Sequence, residues 1–125
     1  MRLTTAARAT ALALLATLPA GCTNPPARYA WGRYEELIYT AQAKPGLLTP
    51  AAQAEQLERD GAAAHAAHQP LPPGWHAQLG YLYFQSGRAD LARRELLAEK
   101  AAFPESATLV DCLLAKLSEQ AEPPL

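Results

Sequence analysis

Residues 76–104, "HAQLGYLYFQSGRADLARRELLAEKAAFP", constrain the fold more than any other part of the chain. Helix-favouring residues fill both halves, Gly87 stands between them, and Pro104 closes the second half. The pattern predicts one helix from about Gly74 to Ser86 and another from about Ala89 to Phe103. Gly80 has no side chain where the two helices meet, and Ala92 fills the space opposite. Leu79, Leu82 and Tyr83 cover one side of the contact, and Ala92, Leu96 and Phe103 answer from the other. A lone hairpin of this kind cannot bury its own apolar faces and must borrow surface from neighbouring helices.

The spacing Leu79-Gly80, Tyr83, Ala92 and Pro104 resembles the tetratricopeptide signature. It departs from it at two places, with His76 (beside Trp75) at the Trp position and Leu96 at the Phe position. Neighbours lie on both sides. Upstream, Tyr34, Leu37, Ile38 and Ala41 share the face of a helix that Pro45-Gly46 ends. Thr49 then caps a second helix, with Pro50 at its first position and a run to about His68. Its stripe of Ala54, Leu57, Gly61, Ala64 and His68 is small-residued, which makes Leu57 the main anchor. This upstream pair is either a diverged repeat or a cap. Downstream, Ser106 is the candidate cap of a closing helix with Leu109, Val110, Leu113 and Leu117 on one face. Ala and Leu dominate, and Ile38 and Val110 are the only residues of their types, a composition that favours helix over strand. The expectation is an all-α domain of about five helices over residues 29–120, with a frayed tail at 121–125.

The first 21 residues read as an export signal. Arg2 and Arg8 precede an apolar run from about Ala9 to Leu18, too short to remain as a membrane span. "LPAGC" resembles the bacterial lipobox, with Leu18 one position earlier than usual and Pro19 in its place. Cys22 is therefore the candidate lipidation site. The alternative is an ordinary secretory leader cut after Ala20, with Cys22 a free thiol or one half of a disulfide to Cys112. If Cys22 carries lipid, the tether of residues 22–28 spans about 25 Å and keeps the domain at the membrane surface. By resemblance to lipoproteins generally, Thr23 after the cysteine is compatible with sorting to the outer membrane.

The inventory for chemistry is thin. Eleven Lys and Arg residues, two of them in the leader, stand against twelve Asp and Glu, so the basic stripe that nucleic acid requires is missing. His65 and His68 share a predicted helix face but have no completing ligands nearby in sequence. The glutamates Glu35, Glu36, Glu55, Glu58, Glu95 and Glu99 are expected on solvated, ion-paired helix surfaces. No phosphate loop and no nucleophile–base spacing is present, and no cofactor or metal is expected. The aromatic run "RYAWGRYEELIY" directly after the tether has three readings: core packing of Trp31, a partner anchor, or a contact with lipid headgroups.

Taken together, "YAWGRYEELIY", "PPGWHAQLGYLYFQSGRADLARRELLAEKAAFPES" and the closing helix with Asp111 resemble the small bacterial lipoproteins grouped as domain-of-unknown-function 4810. The resemblance implies an envelope lipoprotein without assigned activity, often encoded beside a curli-secretion-type lipoprotein. It brings no catalytic residue. The resulting expectation is a lipid-anchored, periplasm-facing accessory or docking subunit of an envelope assembly or transport complex, with other lipoproteins as partners. The candidate partner surface is Trp31, Gln78, Tyr81 and Gln85. The alternative from another class is an envelope enzyme or metal-binding protein using His65, His68 or Cys112.

Overall fold

The computed structural model of the chain describes residues 27–121, with side chains up to residue 119. The leader, Cys22, most of the tether and the tail after Ala121 lie outside the described residues. The elements are α1 (Tyr34–Ala43), α2 (Pro50–Ala66), α3 (Trp75–Gln85), α4 (Ala89–Ala102), a 3-10 turn (Pro104–Ser106) and α5 (Ala107–Ala121). Among the described residues the fold is all-α, with five α-helices and no strand.

Local chemistry explains most of the boundaries. Thr49 Oγ1 accepts from the Ala52 N–H at 3.2 Å, and Pro50 follows it at the first position of α2. That cap supplies one acceptor to the four orphan donors of a helix start. The end of α2 comes earlier than the sequence pattern suggests. His68 adopts a left-handed conformation (φ +53°), and the Gln69 N–H turns back onto the Ala64 carbonyl at 2.9 Å. His68 therefore leaves the helix and does not extend the stripe of Ala54, Leu57 and Ala64. Gly87, at φ +73°, makes the left-handed turn between α3 and α4. Ser106 does not cap α5, because its hydroxyl donates instead to the Phe103 carbonyl at 2.7 Å and belongs to the 3-10 turn.

The α3–α4 pair is an antiparallel hairpin. A Cβ placed on Gly80 would lie 3.1 Å from both the Ala92 carbonyl oxygen and Leu96 Cγ, so the close approach expected from the sequence is present. Leu79, Leu82, Tyr83, Ala92 and Leu96 are buried around it, joined by Leu37 from α1, Ala54 and Leu57 from α2, and Val110 and Leu117 from α5. Each fully buried aliphatic side chain of this kind contributes about 1.5–3 kcal/mol. The centre of the core is Trp75, the largest fully buried side chain. Gly61 lies against it, where a Cβ would sit 3.6 Å from the indole nitrogen, an ordinary contact distance, and Tyr34 stacks on it with ring centroids 5.4 Å apart. On α5, Val110 and Leu117 point inward, but Leu109 is 58% exposed and falls off the buried face.

Candidate functional site: an amide-lined groove

The four residues of the candidate partner surface separate into two places. Gln78, Tyr81 and Gln85 recur at i, i+3 and i+7 on α3, together with Leu82 at i+4, and line one wall of a groove of about 500 Å³. The facing wall comes from Ile38, Ala41 and Gln42 of α1, the loop around Pro45 and Leu48, and Pro50 and Gln53 at the start of α2. Gln53 is buried, and its Nε2 donates to the Leu48 carbonyl at 3.1 Å, which fixes the loop against α2. Tyr81 is 45% exposed, and its hydroxyl accepts from Gln85 Nε2 at 3.2 Å. No residue lining the groove carries a formal charge.

Trp31 lies elsewhere, along a cleft bounded by Asp60, Ala63, Ala67 and Gln69. It is 39% exposed yet takes part in an aromatic row. Its ring centroid is 6.5 Å from that of Tyr29 and 6.0 Å from that of Tyr34, while Tyr29 meets Phe103 edge-on at 6.4 Å. The entry segment is also tied down by its backbone. The Ala30 N–H donates to the Pro70 carbonyl at 2.9 Å, and the Arg33 N–H to Asp60 Oδ2 at 2.8 Å. Trp31 thus belongs to the packing of the entry segment and leaves only one side to solvent.

Behind the groove, α3 is held by carboxylates that the sequence pattern misplaces. Glu95 and Glu99, expected at the surface, are buried, and Glu99 is only 2% exposed. Glu99 Oε1 accepts from the Gly74 N–H at 2.7 Å, and Oε2 accepts from the Ala77 N–H at 3.3 Å. A glycine N-cap has no acceptor of its own, so a carboxylate from α4 caps α3 instead, where the helix dipole favours negative charge. Glu95 accepts from His76 Nδ1 at 2.8 Å and from Arg94 Nη2 at 2.8 Å. The bond to His76 and then the bond to Arg94 hold its pKa below the ordinary glutamate value, against the opposing effect of burial. The Tyr83 hydroxyl donates to Glu58 from α2, and the Arg88 guanidinium sits 4.7 Å from the Tyr83 ring centre. Burial and the adjoining Glu58 carboxylate push the Tyr83 pKa up to about 12.

The residues of the enzyme alternative are not assembled. His65 and His76 border one cleft beside Tyr29 and Phe103, but His68 has left the helix, so the predicted i, i+3 pair on one face does not form. Cys112 is an exposed free thiol on α5. Among the described residues no three His, Cys, Asp or Glu side chains group as metal ligands, and no helix is long and apolar enough to cross a membrane. Two features escaped the sequence reading, Trp75 as the centre of the core and Glu99 as the cap of α3. Glu99 had a signal, since Ala92, Glu95, Leu96 and Glu99 recur at i, i+3, i+4 and i+7, the same stripe as the inner face of α4.

Fold and groove together define a small all-helical protein built around one close-packed helical hairpin, with a groove free of charged lining residues on the first helix of that hairpin. The family model described as "Domain of unknown function (DUF4810)" matches residues 28–113, and the chain belongs to that family. No curated protein and no solved structure matches the chain.

Proposed function

We propose that the protein is a membrane-tethered docking subunit that holds a partner protein in the groove between α1, the start of α2 and α3. The observation that carries this reading is the convergence of Gln78, Tyr81 and Gln85 on one concave surface with a wall fixed by Gln53. A polar, aromatic-containing cleft on a rigid helical scaffold is suited to binding, because Tyr supplies a large contact area with a polar tip. In this reading Cys22 is lipidated, the chain faces the periplasm from the outer membrane, and its partners are envelope lipoproteins of a curli-secretion-type assembly or transport system. It performs no catalysis. The test is native electrophoresis of detergent-solubilised envelopes. The chain is expected in a complex larger than itself, and Tyr81→Glu, an exposed substitution in the groove, is expected to release it, while Leu97→Glu on α4 is not. A chain that runs alone in both forms contradicts the reading.

A further inference from the structure

We infer that the end of the bundle at which the chain enters lies against the phospholipid headgroups, and that the loop between α1 and α2 points away from the membrane. This rests on the tether of the reading above and adds an orientation to it. Chain direction carries the first step. The start of α1, the end of α2, the start of α3 and the end of α4 meet at one end of the bundle. There the Ala30 N–H donates to the Pro70 carbonyl at 2.9 Å, Tyr29 meets Phe103 with ring centroids 6.4 Å apart, and the Gly74 N–H donates to Glu99 at 2.7 Å. The loop of Pro45 and Leu48, which walls the groove, precedes the opposite end of α2.

Lengths then decide which end can touch lipid. The 17 residues of α2 separate the two ends by about 25 Å. Five steps of chain lead from Cys22 to Ala27, the first described residue, and they reach at most about 18 Å. Leu47 and Leu48 are exposed in the far loop and are the rival contact. An upright molecule resting on that loop would hold its entry end beyond the reach of a lipid on Cys22.

The surface of the entry end agrees. Residues 61–87 contain no Asp, Glu, Lys or Arg, and they hold all three histidines of the chain. In the segments that form this end, residues 27–33, 65–74 and 101–106, Glu105 is the one carboxylate, and Arg28, His65 and His68 are exposed. Arg33 is paired with Glu36 at 3.1 Å. The nearby Asp60 carboxylate accepts from the Arg33 N–H and from Gln56 Nε2, and Glu99 is buried. A guanidinium and imidazole N–H groups can donate to phosphate oxygens. Trp31, 39% exposed, offers an amphipathic ring of the kind that settles at headgroup level.

The test uses the full lipidated chain in vesicles of phosphatidylethanolamine and phosphatidylglycerol whose headgroups carry a spin-label quencher. A single fluorophore is placed by Gln69→Cys at the entry end or by Leu47→Cys at the far end, each with Cys112→Ser. With the two sites about 25 Å apart along the bundle, the Gln69 position is expected to be quenched at least about three-fold more strongly. Arg28→Glu, with its thermal melt unchanged, is expected to lower the quenching at Gln69 about two-fold, because it turns an attraction to the anionic surface into a repulsion. Equal quenching at both sites, stronger quenching at Leu47, or no effect of Arg28→Glu would overturn the inference and leave the entry face to a protein partner. A chain that does not float with the vesicles removes the tether and the inference together. Flotation with equal quenching removes the inference alone.

Discussion

Glu99 is a carboxylate with almost no water around it, and what it receives in exchange is the first turn of α3. Glu99→Gln keeps one acceptor, removes the charge that faces the helix dipole, and buries an NH2 group where two backbone N–H donors already point. The expected cost is about 1–3 kcal/mol, read as a lower midpoint in urea unfolding, and an unchanged midpoint would show that the cap is dispensable. Tyr83 makes a second prediction at this scale. Its pKa in the fold is about 12 against an ordinary 10.0, so its contribution to stability is complete below pH 10 and is lost as pH rises toward 12. Thermal melts of Tyr83→Phe, compared with the parent over that range, are expected to lack this part of the alkaline loss. Glu95 has the opposite sign. Its pKa is lowered in the fold, so the stability it adds is present above the ordinary glutamate range and fades as pH falls through its depressed value.

At the scale of the element, the hairpin was the most legible part of the sequence. Gly80, Ala92 and Gly87 each stand where geometry leaves little choice, and such positions can be read from spacing alone. Gly80→Ala tests this. Alanine gains about 1 kcal/mol of helix propensity, but its Cβ would press on the Ala92 carbonyl and on buried Leu96, neither of which is free to move aside. Overpacking costs about 1–3 kcal/mol, so the expected net effect is destabilisation by about 1 kcal/mol, measured by chemical unfolding; a stabilised variant would mean that the helices separate easily. Other elements were less legible for physical reasons. The charges on Glu95 and Glu99 argued for solvent, and partners distant in sequence, His76 for Glu95 and Gly74 and Ala77 for Glu99, oppose that preference. His68 continued the apolar period of α2 and gave no sign of the left-handed turn that removes it. Leu109 is apolar, but α5 buries the face of Val110 and Leu117, and Leu109, one residue and about 100° of helix away from Val110, falls to the outside.

For the whole molecule, the sequence indicated three of the four candidate docking residues as neighbours, because Gln78, Tyr81 and Gln85 share one helix and need only the period of 3.6 to be aligned. The opposite wall was not legible. It depends on how α1 and the loop before α2 lie against α3, and on a buried glutamine that holds that loop. Trp31, a separate aromatic candidate for the partner surface, stands in a row with Tyr29 and Tyr34 and lies in a different cleft. The proposed tether makes its own prediction. Cys22→Ala is expected to move the chain from the membrane pellet to the soluble fraction and to abolish fatty-acid labelling, whereas retention with labelling intact would remove the lipid anchor from the account.

The groove as docking surface is tested most directly by site-specific photo-crosslinking in intact cells, with the photoreactive residue placed in turn at Tyr81, Gln85 and Leu97. All three positions are exposed, but only the first two line the groove. The account predicts one discrete adduct, shared by Tyr81 and Gln85 and missing from Leu97. Adducts of equal yield from all three positions, or from Leu97 alone, would contradict it.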